Sequence, residues 1–167
     1  GALSAQGVER EIRKKLVDND LVECIVVLPM DMFYTTDISV TLWILNKNKS
    51  ARTCTGTGNL FRAREGEVLF IDARNFGSVF DKKFIEFKDD DLLTIANIYH
   101  SWKYSDHGDG YVDRDELCRS VTVKEIANED YALMPSSFIN FNQGKLQHDL
   151  NISLENAKQS FDEVNNT

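Results

Sequence analysis

Apolar residues in this chain fall into a few segments with different periodicities, and each periodicity predicts a different element. From Cys24 to Leu28 the sequence is apolar without a break, within Val22-Glu23-Cys24-Ile25-Val26-Val27-Leu28-Pro29. A strand covered on both faces lacks the alternation of a half-exposed one, so this segment predicts a central strand. Pro29 has no N–H to give a ladder and ends it. A second apolar strand is expected over Val40–Asn46 and a third over Glu67–Asp72. Ahead of them, Val8, Ile12 and Leu16 recur every four residues between charges. That spacing predicts an amphipathic helix over Ala5–Asn19 with those three residues inward, Ser4 as N-cap and Asn19-Asp20 as the break. Asp89-Asp90-Asp91 opens another helix, with negative charge at the positive end of its dipole and a buried stripe of Leu92, Ile95, Ala96, Tyr99 and Trp102. Thr122 and Glu125 form a capping box for a short helix to Asn128, and Ala132–Pro135 should be extended. A last helix, capped by Ser153, would align Leu154, Ala157, Phe161 and Val164 on one face. That face would pack on its own domain or on a partner.

The connections carry the candidate chemistry. Directly after Pro29 come Met32-Phe33-Tyr34, two adjacent rings at the carboxyl edge of an α/β sheet, where such sheets bind ligands. Adjacent residues point opposite ways, so one ring is expected in the core. Between the second and third strands runs a polar link of about twenty residues, a length that is usually functional or mobile. It holds Lys47, Lys49, Arg52, Arg62 and Arg64 around Thr55-Gly56-Thr57-Gly58. Segment 104–120 is polar and Gly-containing, as surface loops are.

Composition narrows the classes. At 167 residues, with 42% apolar and 28% charged, the chain can bury a real core and is not compositionally disordered. No apolar run approaches the roughly 20 residues of a membrane helix, and the first residues show no signal-peptide pattern. Cys24, Cys54 and Cys118 are an odd number without a C-x-x-C, which suits reduced thiols in a cytoplasmic protein. The net charge of −8 argues against a module that grips DNA by itself, since phosphate neutralisation needs a basic face. The basic residues of the 47–64 link are either solvated surface or a contact to DNA backbone or partner.

Three features imitate known motifs. Ser105, His107, Asp109, Gly110, Val112 and Glu116 have EF-hand spacing, but Ser and His replace the first two carboxylates that calcium wants. Gly56-Thr57-Gly58 neither follows a strand tightly nor opens a helix, so it is a flexible loop and not a nucleotide cradle. His100, His107 and His148 have no helical ligand spacing. Asp72, closing the third strand, is either a site carboxylate or a turn former.

Several ordered blocks carry a resemblance. EIRKKL at 11–16, VECIVVLP at 22–29, MFYTTDISVTLWILNKNK at 32–49, GEVLFIDAR at 66–74, a helix ending Tyr99-His100-Ser101-Trp102, and SVTVKEIANEDYALMPSSF at 120–138 resemble the modification subunits of type I restriction–modification systems. The likeness covers roughly Ser4 to Phe141. Those subunits are N6-adenine DNA methyltransferases. The resemblance implies an α/β fold equal to the carboxyl-terminal portion of a Rossmann-like methyltransferase sheet, with three main strands, a terminal antiparallel hairpin and flanking helices. Residues 1–103 would close the methyltransferase domain, 104–120 would be a surface loop, and 121–167 a helical extension. The family's S-adenosylmethionine loop, DPACGSGG-like, and its Asn-Pro-Pro-Phe or Asp-Pro-Pro-Tyr tetrapeptide are not found here, and neither Pro29 nor Pro135 has a proline neighbour. S-adenosyl-L-methionine is therefore expected in the complete enzyme, with no cofactor or catalytic residue on this segment and no activity from it alone.

Carried over by position, the aromatic block places Phe33 first and Tyr34 second against a flipped adenine, with Thr35, Thr36, Lys47 and Lys49 as base or DNA contacts. Asp37 and Ser39 depart from the common pattern, which has a neutral polar residue and a proline there. Implied partners are DNA, the specificity and restriction subunits, and the amino-terminal half of the methyltransferase. The alternative is a non-catalytic interaction piece of a modification complex.

Overall fold

A computed structural model describes residues 2–53, 55–56 and 58–141. Its centre is a four-stranded mixed sheet with helices on both faces. In chain order the elements are α1 (Val8–Asp18), β1 (Val22–Val27), β2 (Thr41–Leu45), β3 (Arg52–Thr53), β4 (Leu60–Phe61), β5 (Glu67–Asp72), β6 (Ser78–Asp81), β7 (Phe84–Glu86), α2 (Asp89–Lys103), β8 (Cys118–Thr122) and α3 (Val123–Asn128), then a 3-10 turn at Pro135–Ser137. The sheet order is β2-β1-β5-β8. β1 and β5 are parallel, while β2 and β8 flank them antiparallel.

Every residue of β1 is buried, as its unbroken apolar run requires. Ile25, Val27, Val68, Phe70 and Val121 face the layer made by α1, α3 and the segment to Ile139. Cys24, Val26, Leu69, Ile71 and Cys118 face α2, which contributes Ile98 and Trp102. Burial pushes the pKa of both the Cys24 and the Cys118 thiols up, and both are free. Cys54 and the expected helix after Ser153 lie outside the described residues.

Three expectations need correction. Helix α1 does not bury Val8 and Ile12, which are 73% and 54% exposed. It turns Arg13 and Val17 inward instead, because the Arg13 guanidinium donates to the carbonyls of Ala2, Ala5 and Tyr131. Its N-cap is Gly7, at φ 76°, with no side-chain cap from Ser4. On α2, Leu92 lies outside the buried stripe at 51% exposure, and Ile98 enters it.

The link between β2 and β5 is the third. It contains the β3–β4 ladder, and several of its cations reach inward. Arg62 pairs with Glu67 and donates to the Trp102 carbonyl. Arg64 is fully buried and Lys49 is 3% exposed.

The capping box of α3 forms as expected: Thr122 Oγ1 accepts from the Glu125 amide at 3.2 Å, and the Glu125 carboxylate accepts the Thr122 amide at 2.9 Å.

Candidate functional site

Two parallel strands, β1 and β5, end at the same edge, and the chain leaves that edge through two loops. The Ala73 amide still donates to the Val27 carbonyl at 2.8 Å, so both loops start from a fixed frame. After Pro29 the backbone turns at Asp31, which holds φ 56°. Met32 packs into the α2-side core and anchors the loop. Phe33 and Tyr34 then point out, at 42% and 71% exposure, so neither ring is the core residue that alternation suggested. The Thr36 amide donates to the Phe33 carbonyl at 3.2 Å and closes a tight turn, with Thr35 exposed at its tip. Thr36 Oγ1 accepts the Ile38 amide at 3.4 Å.

A hairpin that the sequence pattern did not announce supports this loop. β6 and β7 pair around Lys82, at φ 53°, and the Ile85 amide donates to the Asp31 carbonyl at 3.1 Å. The Tyr34 ring lies 4.4 Å from Phe84, centroid to centroid, with Phe80 a further 6.5 Å beyond Phe84. Lys83 bridges Asp37 at 2.7 Å and Asp31 at 3.5 Å. The hydrogen bond from Lys83, with its charge, holds the Asp37 carboxyl below its ordinary range and raises the lysine in return.

A cleft of about 650 Å³ opens beside the loop, lined by Pro29, Asp31, Arg74, Phe76, Lys83 and Ile85 among others. Arg74 carries no sequence signal of a site role, although it lies two residues past the third predicted strand. Its guanidinium grips the buried Asp72 carboxylate at 2.9–3.0 Å through Nε, and that hydrogen bond raises its pKa. Asp72 Oδ1 also accepts the Arg74 amide at 3.1 Å, so the turn-forming role holds for Asp72.

Of the residues expected to meet DNA, the structure brings Phe33, Tyr34, Thr35 and Thr36 into one loop. Lys47 is exposed, on the turn after β2 at the far end of the sheet. Lys49 does not fit the role: its ammonium is sealed between Asp20 and the Glu67 carbonyl, 2.7 Å away, which leaves no face for a phosphate.

A polar cluster occupies the opposite end of β1. Glu23, 1% exposed, accepts two hydrogen bonds from Asn46 Nδ2 at 3.0 Å, one from Tyr99 Oη at 2.9 Å and one from Arg64 Nε at 3.0 Å. Burial pushes the Glu23 carboxyl up, but the Asn46 and Tyr99 hydrogen bonds and the Arg64 charge more than reverse this, and it sits below its ordinary value. Burial raises the Tyr99 phenol far above its usual range.

The glycines of the link do not form a nucleotide-binding loop. Gly56 and Gly58 lie in the connection between the short strands β3 and β4, and no helix opens behind them. His100 and His107 come together at 5.5 Å between ring centroids, a pairing invisible in the sequence. No group of three metal-ligating side chains occurs among the described residues, at the EF-hand-like loop or elsewhere.

Comparison with known proteins supplies the family. The family model described as N-6 DNA Methylase matches residues 1–146, and the chain belongs to that family. It is 41% identical over 140 residues to the type I restriction enzyme HindI methylase subunit of Haemophilus influenzae, a match spanning 83% of this chain and 28% of that protein. It is 31% identical over 168 residues to the MjaVIII methylase subunit of Methanocaldococcus jannaschii, spanning 99% of this chain and 25% of that one. The methyltransferase subunit of a type I restriction–modification system from Streptococcus thermophilus superposes with a TM-score of 0.65 at 26% identity, over 84% of this chain and 25% of that chain. A second solved structure, from work on assembly and conformational transition of the type I system, shares the fold at a TM-score of 0.56 and 16% identity. The chain thus spans 28% and 25% of the length of the two curated relatives.

Proposed function

We propose that this chain forms the target-base side of an N6-adenine DNA methyltransferase subunit of a type I restriction–modification system, as the carboxyl-terminal part of its Rossmann-like sheet. The observation that carries this reading is the loop after β1: two exposed rings at the carboxyl edge, one packed at a tilt of 56° against Phe84, beside an open cleft. Methylation of an adenine amino group needs the base out of the duplex and held on a flat surface. Tyr34 offers such a surface. Phe84 packs against its ring at a tilt of 56° and restrains it, while the ring stays largely exposed for a base to stack on. Phe33, next along the turn, is the second platform, and Thr35 and Thr36 place hydroxyls within the same loop.

S-adenosyl-L-methionine supplies the methyl group in the whole enzyme and belongs on residues outside this segment, so the 167 residues by themselves are inactive. DNA, the specificity subunit and the restriction subunit are the partners this reading implies. With a net charge of −8, and with Lys83 and Arg74 both matched to carboxylates, most of the phosphate-neutralising charge must come from those partners or from the rest of the subunit. No helix among the described residues is long and apolar enough to cross a membrane.

The test is single-turnover methylation of an adenine-containing duplex by a whole methylase subunit carrying this segment. Phe33→Ala and Tyr34→Ala should each lower the rate with the protein still folded, Tyr34→Ala more. Normal rates in both variants would remove the loop from the base pocket.

A further inference from the structure

Lys83, at the turn of the β6–β7 hairpin, places its ammonium between two carboxylates of the base loop, Asp37 at 2.7 Å and Asp31 at 3.5 Å. The two are held differently. Asp31 is fixed by its backbone, whose carbonyl accepts the Ile85 amide, and its Oδ1 is shut off from water. The Asp37 side chain is 75% exposed and pairs with Lys83 alone among the described cations.

The loop does not need that outer bridge to hold its shape. Met32 in the core, the Ile85–Asp31 hydrogen bond and the Tyr34–Phe84 contact already fasten it. The hairpin is rooted in turn, because Phe76 and Phe87 on either side of it pack into the α2-side core. At its base Gly77, at φ 85°, has no room for a side chain: a Cβ there would lie 2.6 Å from Ile85 Cγ2 and 2.8 Å from the Glu86 carbonyl oxygen. An exposed pair such as Asp37–Lys83 adds little to stability and is easily remade.

What lies beside the bridge gives it a use. Lys83 and Arg74 are the cations among the residues lining the cleft next to the base loop, and Ser39 and Asn75 add polar groups. Asp72 takes the Nε and Nη2 atoms of Arg74, and Nη1 has no part in that grip. While Asp37 stays bound, three carboxylates face these two cations, a balance that repels an anion. With Asp37 turned to solvent, the remaining charges match. A nucleotide drawn out of a duplex brings its own phosphodiester to the pocket with it.

We propose that this edge of the cleft binds a backbone phosphate next to the target adenine, and that Asp37 is its placeholder: the carboxylate holds Lys83 in the free protein and yields it to the phosphate when DNA binds. This rests on the reading of the loop as the base platform. The exchange trades one charge-assisted hydrogen bond for another. It answers only to a phosphate brought close, since charges more than about 10 Å apart are screened at 0.1 M salt.

The test is equilibrium binding of a whole methylase subunit carrying this segment to the duplex that it methylates. The phosphates flanking the target adenine are replaced one at a time by neutral methylphosphonate. Lys83→Ala should weaken binding about fivefold and lower the slope of log affinity against log salt by about one, with Lys83→Arg restoring both. At one of the two positions methylphosphonate should weaken the unsubstituted protein by a similar factor and leave Lys83→Ala unchanged. Asp37→Asn should tighten binding about two- to fivefold, and that gain should vanish on the same methylphosphonate duplex.

Losses from Lys83→Ala and methylphosphonate that simply multiply at both positions overturn the phosphate site. Unchanged or weaker binding by Asp37→Asn overturns the placeholder role. Methylation rates of Phe33→Ala and Tyr34→Ala are read separately. Normal rates with the Lys83–phosphate coupling intact would remove the base platform and leave a DNA phosphate site at this edge. Slowed rates without the coupling would keep the platform and overturn the phosphate site.

Discussion

The two ends of β1 treat charge in opposite ways. At the amino end, Glu23 is sealed among Asn46, Arg64 and Tyr99, which reach it from the segments flanking β2 and β5 and from α2. At the carboxyl end, Asp31, Asp37 and Lys83 make ion pairs in or near water, and two aromatic rings stand exposed. The contrast separates a region that fixes the fold from one that is free to act. Buried charge tolerates no vacancy, whereas exposed charge can be remade around a ligand.

Substitutions should expose that contrast. Arg64→Ala leaves Glu23 buried and unpaired, and urea unfolding should register a loss of about 3–5 kcal/mol. Tyr34→Ala should reduce methylation by the whole enzyme about 5- to 150-fold, as expected for the ~1–3 kcal/mol of one stacked base, with no change in its melting temperature. Lys49→Ala should destabilise by about 1–3 kcal/mol, because the Glu67 carbonyl is left without its donor, and should not alter the salt dependence of DNA binding. Lys47→Ala should do the reverse if Lys47 meets phosphate.

Acid should act on the amino end. Because Glu23 is held below its ordinary value of 4.5, its contribution is complete above that value and disappears as pH falls through the lower folded one. Stability should therefore drop on acidification below about pH 4.5, and the drop should shrink in Glu23→Gln. The smallest effect is expected from Lys83→Ala, whose ion pairs are solvent-screened. Its melting temperature should move by no more than about 1–2 °C.

The strong periodicities were legible, and the weak ones were not. Glu67–Asp72 is a strand with the predicted bounds, and β1 ends at Val27, one residue before the Leu28 at which the expected run stopped. β8 escaped because Cys118-Arg119-Ser120-Val121-Thr122 has only two core residues, placed three apart, and follows a polar stretch. The β6–β7 hairpin lacks an Asn-Gly or Asp-Gly turn and bends instead at Lys82, a residue with no such signature. Helix α1 misled because hydrophobicity ranks arginine outward, whereas three backbone carbonyls can hold a guanidinium inside. At the candidate site, the address of the aromatic loop followed from the strand and its proline. Its support by Phe84, and the inward turn of Lys49 and Arg64, needed three dimensions, since the partners lie 18 to 50 positions away in the sequence.

Arg13 also sets a timetable. It fastens α1 to the backbone at residues 2, 5 and 131, so the first helix has its lock only after a partner 118 positions downstream has been made. The same holds for β1, whose neighbour β5 pairs with β8 near the far end of the described chain. A ribosome releases α1 before the residues that secure it have been made. Folding must wait for contacts of high sequence separation, which slows it and leaves the apolar run of β1 open to chaperones in the interval.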